Sequence, residues 1–342
     1  MKKITKLLVL GFVVSTMAFP LVALGSKETD SKFPGQKQSI EAKDLKVLHV
    51  SVLNGPSGVG MAYMFDNHPD LKGVKSTFEV TATPDVLLPR MIKGEIDIGV
   101  LPPNVAAKVY NSNGSLIMGG ICGEGNLFLL TRDKTVHTFA DLPGKTIYVA
   151  GQSGSTPDYV CKYLANKALL EIGEGADQVN IDFSIPTVEL APSIISGKID
   201  YIIVPEPFAT VCQMKDQTLL RAINLQEAWM AYSDDASNYP ITVVVIRKEI
   251  AQNYPETVKL FLAAYEKSIL WTNTNPVEAG NLVEKYTLGI SAPIATKAIP
   301  SSAFTFIPAQ DAKNEVEKLL SLFVEIEPTS IGGKLPDDGF YF

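Results

Sequence analysis

One stretch of this sequence occurs twice, and the repetition limits what the chain can fold into. Pro89-Arg-Met-Ile-Lys-Gly-Glu-Ile-Asp-Ile-Gly-Val-Leu-Pro102 returns 103 residues later as Pro192-Ser-Ile-Ile-Ser-Gly-Lys-Ile-Asp-Tyr-Ile-Ile-Val-Pro205. Pro89, Ile92, Gly94, Ile96, Asp97 and Pro102 fall on Pro192, Ile195, Gly197, Ile199, Asp200 and Pro205. Each copy reads as a helix closed by Gly, a short β-rich strand, and a Pro-marked turn into another helix. The match extends upstream. Lys46 to Leu53 and Thr146 to Ala150 are β-rich runs. They are followed by Asn54-Gly-Pro-Ser-Gly58 and Gly151-Gln-Ser-Gly-Ser-Thr156, and then by helical patterns. The chain is read as a duplicated βαβα unit.

Alternating strands and helices with short links predict an α/β fold, with two doubly wound lobes of parallel sheet flanked by helices. In such sheets ligands bind beyond the carboxyl ends of the strands. The Ser-Gly loops and the Pro turns lie there, so two facing lobes would enclose a cleft. Asn126 to Thr131 and Ile241 to Ile246 are apolar strands between and after the copies, the expected crossover connections. The expected organisation is residues 45–131 with 241–342 as lobe 1 and 132–240 as lobe 2. The C-terminal third is mostly helical. It starts at Tyr254-Pro255-Glu256, and a last helix runs over Ala312 to Val324.

Lys2, Lys3 and Lys6 precede an apolar run broken by Pro20, the order of a secretory signal peptide over residues 1–25. Residues 26–44 are polar and charged and read as a flexible tether. No Cys stands near Ser26, so a lipid anchor is unsupported. The expected location is periplasmic or extracellular. The net charge of −7 becomes −10 once the three signal lysines are removed, which excludes a general nucleic-acid binder. Cys122, Cys161 and Cys212 are too few and too separated for a disulfide framework or a Cys-based zinc site. His49, His68 and His137 show no metal-ligand spacing, so neither a metal nor a cofactor is expected.

The candidate ligand contacts come from the loops at the strand ends. Ser153, Gly154, Ser155 and Thr156, with Pro157 in the first turn, form a capped helix start whose N–H groups and dipole suit an anionic group. The Walker A ending and the dinucleotide fingerprint are both missing. Asn54, Pro56, Ser57 and Gly58 form the equivalent loop of the first copy. Pro102 with Asn104 and Pro205-Glu206-Pro207 mark the other turns. Glu206 is read either as a cleft group accepting an N–H or as a carboxylate tied to the helix start beside it. Cys122 sits where hinge and cleft meet. Glu124 beside it reads as a plain loop residue. Tyr63, Phe65, Tyr159 and Phe208 could stack on a ring. No catalytic constellation is found.

The Ile-Asp pairs after their Gly turns, Glu206-Pro207-Phe208, and Ser330-Ile-Gly-Gly-Lys-Leu-Pro-Asp-Asp338 together resemble the substrate-binding proteins of ABC importers for nitrate, sulfonate, taurine and thiamine precursors. The resemblance runs from about Leu45 to Phe342. Gly154-Ser155-Thr156 is also similar to the anion-holding loop of glutamate-receptor ligand cores. The resemblance implies a type II periplasmic binding fold, two α/β lobes joined by two crossing strands. Two departures stand out. The cysteine-rich cluster of the pyrimidine-synthase relatives is missing, and so is the lipoprotein Cys.

The resulting expectation is a monomeric, extracytoplasmic, non-enzymatic binding protein. It would hold a small anionic or zwitterionic organic solute, sulfonate-like or pyrimidine-like, and deliver it to ABC permease subunits. An enzyme of the same fold acting on a small aromatic or pyrimidine precursor, and a ligand sensor, are the alternatives.

Overall fold

A computed structural model describes residues 44–233 and 236–342. The signal-peptide reading and nearly all of the tether reading lie outside the described residues. The chain begins with β1 (Val47–Leu53), α1 (Pro56–Val59), α2 (Ala62–Asp66), β2 (Lys75–Thr81), α3 (Pro84–Ile92), β3 (Ile98–Leu101), α4 (Pro103–Asn113) and β4 (Leu116–Glu124). It crosses into β5 (Leu127–Thr131), β6 (Thr146–Val149), α5 (Thr156–Lys167), β7 (Asn180–Asp182), α6 (Thr187–Ile195), β8 (Tyr201–Pro205), α7 (Phe208–Lys215), β9 (Leu220–Asn224) and α8 (Leu225–Tyr232). It returns as β10 (Pro240–Arg247), α9 (Lys248–Asn253), α10 (Pro255–Thr274), α11 (Pro276–Lys285), α12 (Ala292–Ala298), β11 (Ile307–Pro308) and α13 (Lys313–Ile326).

The two sheets repeat one plan. The first has the order β11-β4-β10-β3-β1-β2 and the second β7-β6-β8-β5-β9. In each, the first strand of the copy lies between its second and third in parallel pairing. An antiparallel strand then separates the third from the fourth. That antiparallel strand is β10 in one sheet and β5 in the other. Each lobe is therefore completed by the strand on which the chain enters it.

This corrects the expected boundary after Thr131. β5 pairs in register with β8 along its whole length, from Leu127 opposite Pro205 to Thr131 opposite Tyr201, and with β9 from Phe128 to Thr131 across one register shift. The passage between lobes is Gly125-Asn126. The close approach there requires glycine, because a Cβ on Gly125 would stand 2.3 Å from the Tyr239 ring of the returning strand.

The repeated motif folds the same way in both copies. Helices α3 and α6 carry Pro89 and Pro192 at equivalent interior positions. Both close on glycines in the left-handed region, Gly94 at φ 79° and Gly197 at φ 73°, where a side chain would be strained. The aspartates have diverged. Asp97 is buried, accepts the His49 N–H at 2.9 Å and pairs with Arg247, whereas Asp200 is exposed.

The lobes are not packed as separate bodies, and all the described residues fall in one compact unit. One buried cluster joins Leu101 and Met118 of the first sheet to Leu129, Val149 and Ile203 of the second. Helix α13 helps to join them. Val316, Leu319, Leu320 and Phe323 recur at helical spacing on its buried face. The helix packs against α4, α5 and β10. Outer clusters fill the far side of each sheet. Cys122, Cys161 and Cys212 are free, buried and in three different clusters, so no two are placed to pair.

Candidate functional site

The carboxyl ends of the first sheet and the two crossover strands enclose a cavity of about 210 Å³. Leu53, Asn54, Pro56 and Ser57 line it from the end of β1. Gly123, Glu124 and Asn126 line it from the outgoing crossover, Ile241 and Thr242 from the returning one, and Ser302 and Phe304 from the loop after α12. The β10–β4 ladder shifts register on both sides of Thr242, and such irregularities turn side chains out of the regular alternation. Near this point α12 of the first lobe packs against α7 of the second, so the lobes meet across the opening.

Three of the expected contacts, Asn54, Pro56 and Ser57, are brought together in this wall. Gly58 is buried behind it, where an added Cβ would meet Val52 at 3.2 Å. Pro102 caps α4, and neither it nor Asn104 reaches the cavity. Cys122 also stands behind the wall. Its thiol reaches Thr242 Oγ1 at 3.5 Å, and burial pushes its pKa up to about 11, so it is an inert packing group.

The Ser-Gly-Ser-Thr loop departs from the expected anion site. Its helix start is already occupied by a carboxylate of the chain. Asp158, fully buried, accepts the Gly154 N–H at 2.7 Å and the Ser153 hydroxyl at 3.3 Å, and pairs with Lys162 at 2.8 Å. Ser155 turns its hydroxyl back onto the Gln152 carbonyl at 2.6 Å, and Thr156 is buried. The Gly154 N–H and the Ser153 hydroxyl are therefore already committed to a partner within the chain.

Glu206 takes the second of its two readings. It is fully buried, its Oε2 accepts the Thr210 N–H at 3.1 Å, and its Oε1 lies 2.5 Å from Arg221. It is a structural carboxylate of the second lobe. The expected aromatic platforms are also used elsewhere. Tyr63 packs on Trp271, Phe65 on Phe78 and Tyr159 on Phe323. Phe304, which sequence reasoning did not single out, is the aromatic ring in the wall.

The strongest missed residue is Glu124. It is half-buried in the cavity wall, and its carboxyl is pushed up to about 7, by burial first and then by the Glu315 carboxylate, with the Asn238 amide opposing. Proximity to Cys122 was the only sequence signal for it. Asn126, 6% exposed, lies in the same wall with its Oδ1 unpartnered.

A stability prediction follows. The folded protein holds Glu124 protonated above its ordinary value of 4.5, so its contribution is intact below about 4.5 and lost as pH rises through about 7. Glu124→Gln should therefore be more stable than the parent at pH 8, by about 1–2 kcal/mol after allowing for water contact. The two should converge at pH 4.5. Urea titrations at both pH values check this, and a gap that stays constant with pH contradicts it.

Comparison with known proteins gives the context. Residues 121–279 match a family model described as NMT1/THI5 like. Curated proteins give no significant match. Solved structures match over nearly the whole body. An ABC transporter from Parabacteroides distasonis is 28% identical, with a TM-score of 0.75 over 87% of this chain and 99% of that one. The periplasmic aliphatic sulphonate binding protein SsuA from Escherichia coli is 15% identical, with a TM-score of 0.65 over 85% and 92%. The periplasmic nitrate-binding protein NrtA from Synechocystis PCC 6803 is 11% identical, with a TM-score of 0.60 over 84% of each chain. The chain has the type II periplasmic binding fold, and these matches fall in the family read from its sequence. The named relatives are transport proteins rather than enzymes. They support a solute-binding component of an ABC transporter.

Proposed function

We propose that this chain is an exported solute-binding component of an ABC importer, holding a small organic solute in the cavity at the crossover strands and handing it to permease subunits at the membrane. The observation that carries the reading is the position of that cavity. It lies at the carboxyl ends of a sheet whose order is repeated in the second lobe, where both connecting strands pass. The periplasmic relatives support export, and the basic-then-apolar start of the sequence agrees with it.

The lining favours the pyrimidine-like alternative over the sulfonate-like one. Leu53, Pro56, Ile241 and Phe304 offer an apolar and aromatic surface, and among the described residues no Lys, Arg or His lines the cavity. The one ionisable group there is a carboxyl. A sulfonate would find no cation and would have to displace water without compensation.

Blocking the cavity tests the proposal. Ile241→Trp places a ring in a space of about 210 Å³. The parent protein, purified from its native host without denaturation, should carry a solute detectable by mass spectrometry. The variant should carry none and should rebind the extracted solute at least 100-fold more weakly, as expected for a loss of about 3 kcal/mol or more. Undiminished solute in a folded Ile241→Trp protein would move the site elsewhere.

A further inference from the structure

We propose that the cavity selects its solute by an N–H-donating, cationic edge, and that Glu124 makes capture proton-linked. This deepens the reading above and rests on it. Ser57 donates its proton to the Leu53 carbonyl at 2.9 Å, and Ser302 donates to the Ala298 carbonyl at 2.7 Å. Both oxygens are left with lone pairs to offer. Asn126 Oδ1 is sealed within the wall and offers nothing to the cavity. Glu124, when ionised, adds two more acceptor oxygens. The side-chain donors are the Asn54 and Asn126 amides, the Thr242 hydroxyl and, behind Glu124, the Asn238 amide. Thr242 already accepts from Cys122. Among the described lining residues Glu124 is the one ionisable group and no Lys, Arg or His stands beside it, so an ionised Glu124 needs a ligand that brings the protons.

Charge points the same way. Glu124 interacts with Glu315 from α13 and the Asn238 amide from the segment before β10, donates its N–H to the Ala303 carbonyl at 3.2 Å, and shares the cavity wall with Thr242 of β10 and Ser302 of the loop after α12. Of these, among the described residues, Glu315 is the charged one. Burial first, and then the field of the Glu315 carboxylate, hold a proton on Glu124 near neutrality, with its pKa at about 7. A cationic N–H edge satisfies the carboxylate and displaces that proton. An anion gains only while Glu124 stays protonated. The two ligand classes thus have opposite pH dependences.

Benzamidine and benzenesulfonate separate them, since they share a ring and keep opposite fixed charges between pH 5.5 and 8.5. Calorimetric titration of solute-free protein should show benzamidine binding roughly 30-fold tighter at pH 8.5 than at 5.5, because a group with a pKa of about 7 is ionised only about one part in 30 at the lower value. Benzenesulfonate should bind more weakly than benzamidine throughout and gain nothing with rising pH. Glu124→Gln should weaken benzamidine at pH 8.5 by roughly tenfold or more and flatten its pH profile. Glu315→Gln should move the midpoint of the profile to lower pH.

A flat benzamidine profile, or a preference for benzenesulfonate, overturns the inference. So does failure of benzamidine to bind while the extracted solute still binds the parent and is lost in Ile241→Trp. That result leaves the proposed function standing. Benzamidine or solute binding that survives Ile241→Trp overturns the placement of the site itself.

Discussion

Glu206→Ala is expected to destabilise the protein by about 3 kcal/mol, the lower part of the range for breaking a buried ion pair, because Arg221 keeps some contact with water. The loss has two parts. Arg221 would remain largely buried, with its guanidinium 4.4 Å from the Phe128 ring centre and hydrogen bonds to Gln213 at 2.8 Å and Thr210 at 3.0 Å. Its charge would have no counter-ion. The Thr210 N–H in the first turn of α7 would lose the carboxylate that accepts it. Glu206→Gln keeps an acceptor for that N–H but not the charge, so it should fall between the parent and the alanine variant. Urea titrations at neutral pH measure both. A change below about 1 kcal/mol for Glu206→Ala would show that the pair is not structural, and would restore Glu206 as a candidate solute contact.

The same residue shows how far the sequence could be read. The motif around Glu206 stands out because the turn is bracketed by prolines and matches Pro102 in the first copy. That was enough to place it at a strand end. Its burial depends on Arg221 arriving from β9, and nothing in the local sequence announces that pairing. The Ser153–Thr156 loop failed in the same way. Small residues before a helix look alike whether the loop's polar groups are open or taken, and here Asp158 reaches back from within the helix to take the Gly154 N–H and the Ser153 hydroxyl. Periodicity and repetition set the architecture because they are local and act twice. The duplicated copy predicts two equivalent lobes, and the two sheets do share one strand order. The boundary at Thr131 was misplaced because an apolar strand reads the same whichever sheet it joins.

Glu124 is the opposite case, a residue passed over that the fold makes chemically distinct. Its neighbours Glu315 and Asn238 come from a C-terminal helix and from the segment leading back to the first lobe. A carboxyl in a Gly-rich crossover gives no sign that a second carboxyl will be packed near it. Once they meet, the outgoing crossover and the cavity wall share a titratable group.

Phe323→Ala is expected to cost about 3–5 kcal/mol and to loosen the connection between the lobes. Phe323 is completely buried on α13, with its ring centre 4.1 Å from that of Tyr159 on α5. Removing the ring deletes transfer energy, leaves a void in close-packed surroundings, and breaks an aromatic contact worth about 0.5–1.5 kcal/mol by itself. The position of the void gives the variant a second effect. α13 contacts α4 in the first lobe and α5 in the second, so a gap at Phe323 weakens the packing between them while both sheets keep their hydrogen bonds. Hydrogen exchange should therefore speed up first in α5 and α13, with β1, β3 and β6 still protected. Thermal melting should fall by several degrees. Phe323→Leu, which fills most of the space, should recover more than half of the loss. Uniform acceleration across both sheets, with no early loss in α5 and α13, would show that α13 does not tie the lobes together.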